Sequence, residues 1–424
     1  MKLTDYEKRM LDGTFGQAKR KALEVIVRYG RIVEAEQLCA VTWADLFCGA
    51  HAYLEVVQSD DFDDVFSRMA LCSAESVVLD SMAPGCTCYS GIEPDCTERP
   101  EYVILAPGQQ KKNLANLNRF VHSGVILSGN CIPYLTGFVP LRGEHFVSCE
   151  SSAVLLMNSL WGTCANGDGL DASFCSAVCG RTPLWGMHVP SGRIGTDVVE
   201  IKSAPETVND WDLLGYTIGQ KLPAFSVPVL TGGFQRPNIF QMKAFCAALA
   251  CAAGTELCHI VGLTPEAPSV EAALGNAAPR SRITIDPADV IDARDRLCSS
   301  ERIPIDYITL GCPHYHIEEL RQIAQFFENK RIHSGVKLEI WTTGPFKYMA
   351  DRCGYTKTIE GAGGTILMGS CPASRGVPDG TRAAAYDSAK MRMDAMQLTD
   401  IKSFYGSMAQ CLNAALTGYW EATP

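Results

Sequence analysis

The segments IDYITLG (305–311), IEELRQIAQFF (317–327), KLEIWTT (337–343), FKYMADRCG (346–354) and TILMGS (365–370) decide the fold. The first, third and last are short and apolar, and between them lie two stretches with apolar residues at helical spacing. The order reads strand, helix, strand, helix, strand. Alternation of this kind makes a parallel sheet covered by helices, and ligands collect outside the carboxyl ends of its strands. Cys312 and Cys371 fall at that edge, in ITLGCPHYH and ILMGSCPAS.

Outward from this block the pattern recurs. SVPVL (226–230), FQMKAFCAALACAAG (240–254) and LCHIVGL (257–263) form another strand–helix–strand unit, and the Pro- and Ala-rich TPEAPSVEAALGNAAPRSRIT (264–284) reads as a connection. Nearer the start, SVVLD (76–80) and YVILA (102–106) read as buried strands. Thr4 and Glu7 make a capping box before the amphipathic run of residues 7–30, with Gly30 as a helix stop. The fold class is therefore α/β, with several parallel or mixed sheets covered by helices. Three regions are expected: 1–225, 226–285 with its connection, and 286–424.

The 424 residues are 47% hydrophobic and 20% charged, with a net charge of -10, as in an ordinary acidic globular protein. No basic run appears, which argues against a nucleic-acid partner. The opening MKLTDYEKRMLDG is too charged for a signal peptide, and the most apolar stretch, around MKAFCAALACAAG, is interrupted by Lys243 and too short to span a bilayer. A cytoplasmic protein is expected, with no membrane partner. Its 19 cysteines then belong to a reducing compartment, where thiols serve metals, catalysis or packing. Cys246, Cys251 and Cys258 fit packing. Cys86 with Cys88 and Cys96, and Cys175 with Cys179, are spaced as incomplete zinc pairs.

Cys131 in SGNCIPYL joins Cys312 and Cys371 as a third cysteine in a Gly/Pro-flanked string where a strand ends. Three thiolates gathered from distant strand ends can hold an iron–sulfur cluster. Clusters that transfer electrons take four cysteines, so three would leave one iron open to act as a Lewis acid on a hydroxyl leaving group.

The strings LTDYEKRMLDGTFGQA, CIPYLTG, ESSAVLLMNSLWG, GRTPLWGMH, DLLGYTIG, HIVGLTPEAP, LGCPHYHIEELRQIA and DSAK, in that order along nearly the whole chain, resemble the large subunit of aconitase X. The resemblance implies aconitase-like catalytic domains around a central cluster site, and a hydro-lyase acting on cis-3-hydroxy-L-proline or a related small hydroxy acid, or on mevalonate 5-phosphate. It implies an iron–sulfur cluster, [4Fe-4S] or [2Fe-2S], or alternatively a mononuclear iron, held by Cys131, Cys312 and Cys371. It also implies a separate small swivelling subunit. Ser388 in DSAK becomes the candidate base, with Lys390 beside it; capping of a helix near MRMDAM is the alternative reading of Ser388.

Glu150, Ser151 and Ser152 open a helical stretch that runs to Asn158 and Ser159. Glu150 is a candidate for acid–base work or for orienting a ligand, and the serines and Asn158 and Asn166 are candidates for binding substrate. His314, two residues after Cys312, is a candidate donor to substrate or cluster. His316 stands where family members often have Ser, and His259 reads as a core hydrogen-bond partner. The chain also departs from the family. Where ARTNRE is usual it has TCANGDG, so Cys164 and Gly167 replace two arginines, with Arg142 or Arg181 as possible substitutes. Asp387 replaces Asn before Ser–Ala–Lys, and Ala83–Pro84 replaces Asn–Pro. These departures leave a second reading, a redox- or iron-sensing protein without turnover.

Overall fold

The computed structural model describes residues 1–49, 57–93, 99–102, 107–298, 302–396, 398 and 400–421. Three parallel sheets carry the architecture. The C-terminal sheet runs, edge to edge, through Thr365–Leu367, Lys337–Thr342, Tyr307–Tyr315, Ala383–Tyr386 and Lys402–Tyr405. Its central strand YITLGCPHY is apolar along nearly its whole length because helices cover both faces of the sheet. The helix Ile317–Phe327 spans the eleven residues that periodicity assigns to it.

The middle sheet orders Ser281–Ile285, Asp197–Ile201, Pro228–Gly232 and His259–Ile260, all parallel. It draws a strand from ahead of residue 226 and another from the stretch read as a connection. That stretch also holds the short helix Val270–Ala273. The N-terminal sheet is Val125–Ile126, Thr87–Ser90, Trp43–Leu46 and Phe146–Ser148. SVVLD forms no strand: Ser67 Oγ binds the main chain of Val77 instead. Residues 103–106 of YVILA lie outside the described residues.

At the N-terminus the Thr4–Glu7 capping box forms, but the amphipathic run breaks into the helices Asp5–Leu11 and Gln17–Ile32. Gly13 and Gly16, both at positive φ, make the break, whereas Gly30 stays inside the second helix. The helix Ile239–Ala253 is apolar almost all round and accordingly buried, packed on Val208–Lys221 and Ser151–Trp161. It also touches the central strand of the C-terminal sheet, and so links all three units. No helix among the described residues is long and apolar enough to cross a membrane.

Candidate active site

The three cysteines meet at the junction of the N-terminal and C-terminal sheets. Cys131 follows the strand Val125–Ile126, Cys312 lies in Tyr307–Tyr315, and Cys371 caps the turn of helix Pro372–Arg375. The N–H of His314 donates to Cys131 Sγ at 3.3 Å, and the N–H of Ser374 donates to Cys371 Sγ at 3.4 Å. Two glycines permit the approach. A Cβ on Gly129, at φ +52, would stand 2.9 Å from Gly369 Cα, and one on Gly311, at φ +95, would stand 2.3 Å from the carbonyl oxygen of Trp341.

Burial pushes all three thiols up, and Lys390 pulls each one back. Each is therefore within electrostatic reach of the others' site. A metal centre must displace the protons, and the lysine and the N–H donors favour the thiolate form that binds it. Among the described residues, only Cys39, His145 and His188 bring three potential ligand atoms within 4.8 Å of one another, so the sulfurs of Cys131, Cys312 and Cys371 are spread wider than that. Thiolates sharing one ion at about 2.3 Å would be about 3.8 Å apart. The wider spread suits a cluster better than a single ion.

Lys390 Nζ donates to Glu150 Oε1 at 3.1 Å, and Ser152 Oγ donates to the same oxygen at 2.9 Å. Burial alone would lower the Lys390 pKa; Glu150 and the Cys312 and Cys131 sulfurs more than reverse this, and the ammonium is held charged. His314 is buried and neutral: burial lowers its pKa to about 4, and its Nε2 lies 2.8 Å from the carbonyl of Ser370. Nε2 therefore carries the proton, and Nδ1 is left as a buried acceptor with no partner. Ser388 caps the helix Ala389–Ala395, accepting from the Met391 N–H at 3.3 Å, so the capping role read from the sequence is present.

Other candidates are occupied elsewhere. Asn158 donates to the carbonyls of Ala165 and Glu256 and accepts from the Ala165 N–H; Asn166 bridges Trp185 and Met187. Their amides staple main chain, which takes up the groups a substrate would need. Ser151 is exposed at the start of its helix. His316 caps Ile317–Phe327, and His259 Nε2 meets the Arg193 carbonyl at 2.7 Å, the core role expected of it. Arg181 is paired with Glu7, while Arg142 lines a separate cleft. At Gly167 a Cβ would lie 2.9 Å from Glu256 Oε1, so an arginine there would have to turn that side chain aside.

Several supporting residues escape a sequence reading. Lys243 donates to the His314 carbonyl at 2.9 Å and to Glu319 at 2.6 Å, which fixes the strand that carries Cys312. Asp212 accepts from the Ala389 N–H and from Tyr405, each at 2.8 Å; Asp387 accepts from Tyr315. Asp45, with its pKa pushed up by burial to about 8, accepts from Ser148, whose oxygen receives the Glu150 N–H. An acidic residue inside an apolar strand is the one signal that could have marked Asp45. Cys86 and Cys88 have sulfurs 3.7 Å apart, Cys175 and Cys179 are buried in an apolar core, and Cys96 lies outside the described residues.

The chain is an enzyme of the aconitase-like carbon–oxygen lyase class, with three cysteines and a lysine–carboxylate pair where two of its parallel sheets meet. Profiles for the first, second and third domains of aconitase X match residues 1–191, 195–295 and 305–417. The chain is 30% identical to the phosphomevalonate dehydratase large subunit of Methanothermobacter thermautotrophicus over 91% of each chain. It is 28% identical to the cis-3-hydroxy-L-proline dehydratase of Hypocrea jecorina, over 99% of this chain and 70% of that one. The crystal structure of the holo-form of Thermococcus kodakaraensis aconitase X superposes with a TM-score of 0.80 at 24% identity, covering 98% of this chain and all of that one. The chain belongs to the aconitase X family.

Proposed function

We propose that this chain is the catalytic large subunit of a cytoplasmic dehydratase that eliminates water from a small hydroxy acid carrying one carboxylate, of the cis-3-hydroxy-L-proline kind. The observation that carries the choice is the single cation common to the thiols. Lys390 lowers the pKa of all three while itself paired with Glu150; Lys243 is spent on the His314 carbonyl and Glu319, and Arg193 lines the separate cleft with Arg142. A substrate such as mevalonate 5-phosphate brings a phosphate as well as a carboxylate and calls for further cations. Cys164 and Gly167 stand where the family's two arginines are expected, so this alternative is the weaker one.

Cys131, Cys312 and Cys371 would hold an iron–sulfur cluster. When bound, it supplies an iron with an open position, a Lewis acid that makes the substrate hydroxyl a better leaving group. Ser388 takes the proton from the neighbouring carbon, and the Met391 N–H meets the charge on its oxygen. Lys390, oriented by Glu150 and through it by Ser152, binds the carboxylate. His314 offers Nδ1 to the substrate hydroxyl. A separate small subunit covers the site, as the name of the archaeal relative suggests.

The test is anaerobic purification with the small subunit added, followed by an assay of water elimination over hydroxy acids with and without a phosphate. Turnover restricted to phosphorylated acids would overturn the substrate reading. A protein that holds iron and sulfide but turns over none of them would point instead to an iron- or redox-sensing role, the reading that the missing arginines leave open.

A further inference from the structure

We propose that Cys39, His145 and His188 form a second metal site, for zinc(II), separate from the three catalytic cysteines. Their ligand atoms all lie within 4.8 Å of one another. They come from three places in the region matched by the first aconitase X domain. Cys39 is the middle residue of the strand Leu38–Ala40, opposite Thr182. His145 directly precedes the strand Phe146–Ser148, and His188 closes the turn Gly186–His188.

The donors are poorly served without an ion. His145 Nδ1 and His188 Nδ1 are 3.0 Å apart, so two free imidazoles can make one hydrogen bond there. His188 is 3% exposed, and its Nε2 is buried without a partner. The Cys39 thiol reaches only the Thr182 carbonyl, at 3.7 Å. Two nitrogens on one tetrahedral zinc, each about 2.0–2.1 Å from it, stand about 3.3 Å apart, close to the spacing found.

A thiolate with two imidazoles is a borderline-soft set that selects zinc over magnesium or calcium. Cys164, bridged to His145 on the adjacent segment and within electrostatic reach of Cys39, stands outside the 4.8 Å group, which leaves the fourth position to water. A cleft of about 480 Å³, lined by Arg142, His145, Cys164, His188 and Arg193, gives access. Arg193 disfavours positive charge on both histidines, an effect that Glu266, meeting its guanidinium with both oxygens at 3.0 Å, offsets in part.

Such an ion would tie the strand Leu38–Ala40 to the start of Phe146–Ser148 and to the turn Gly186–His188, and stabilise the first domain independently of catalysis.

The experiment is zinc analysis of the full chain in which Cys131, Cys312 and Cys371 are all serine, grown with added zinc. About one zinc per chain is expected, lost when Cys39→Ser or His188→Asn is added. A zinc-free triple variant, or zinc unchanged by the added substitutions, overturns the site. Should an added substitution prevent folding, cobalt(II) titration of the triple variant decides. Tetrahedral d–d bands with thiolate charge transfer support the site, and their absence from a folded protein refutes it. If the triple variant does not fold, Cys39→Ser in the unsubstituted chain must lower zinc by one equivalent while leaving iron unchanged.

Discussion

Lys390 Nζ and Glu150 Oε1, 240 residues apart in sequence, lie 3.1 Å apart at the meeting point of two sheets. The pair brings the helix that begins at Ser151 against the helix that Ser388 caps. One carboxylate oxygen then orients both a lysine and the Ser152 hydroxyl. The ammonium is held charged beside three thiols, and the proposed function sets the substrate carboxylate against it.

Lys390→Met is expected to lower kcat by about 10²–10⁴, the range for loss of one positioned charged group. Iron and sulfide should stay at the wild-type level, since the lysine holds no ligand atom of the cluster. Activity within threefold of wild type would remove Lys390 from the site.

Cys312→Ala, and likewise Cys131→Ala or Cys371→Ala, is expected to abolish cluster binding and turnover together. Iron and sulfide analysis after anaerobic reconstitution reads this. Normal iron content in any one variant would strike that residue from the ligand set.

Gly311→Ala forces a Cβ to 2.3 Å from the Trp341 carbonyl at a backbone φ of +95. Strain of about 1–3 kcal/mol from the backbone alone, with the clash added, should displace the strand one residue before Cys312. Unfolding in denaturant should shift to lower concentration, and iron content should fall. An unshifted midpoint would show that the strand can absorb the methyl group.

Lys243→Met leaves Glu319 buried without its partner and the His314 carbonyl without its donor. A loss of about 3–5 kcal/mol is expected from denaturant unfolding, because the uncompensated charge stays buried. Adding Glu319→Gln should recover part of that loss. If the double variant is no more stable than Lys243→Met alone, the pair is not the cause.

Asp45 titrates near 8 in the folded chain because burial penalises its carboxylate, against an ordinary value of 3.8. Its folded pKa is raised, so its contribution to stability is full below pH 3.8 and is lost as pH rises through about 8. Asp212, pushed up by burial to about 7, acts in the same direction. Thermal unfolding followed between pH 4 and 8 should therefore fall less steeply in Asp45→Asn than in wild type. Parallel curves for the two proteins would refute the raised value.

The strand–helix alternation from residue 305 to 370 was legible because its strands are almost wholly buried and its helices carry apolar residues at helical spacing, with turn residues between them. The capping role of Ser388 lay open in local sequence too, whereas that of His316 was not read there. SVVLD misled, since apolar β-branched text of that length fits an irregular buried segment as well as a strand. Neither the pairing of Lys243 with Glu319 nor the hold of Asn158 on the Glu256 carbonyl leaves any local trace, because the partners are 76 and 98 residues away.

By itself, the sequence determined the α/β class, the family resemblance and the three strand-end cysteines, all set by local periodicity and short motifs. Only the tertiary structure decided which polar groups meet: Glu150 with Lys390, His314 Nδ1 left unpartnered, and Cys39 beside two histidines. Such encounters depend on how separate sheets pack, and that packing is fixed by burial summed over the whole chain rather than by any single segment.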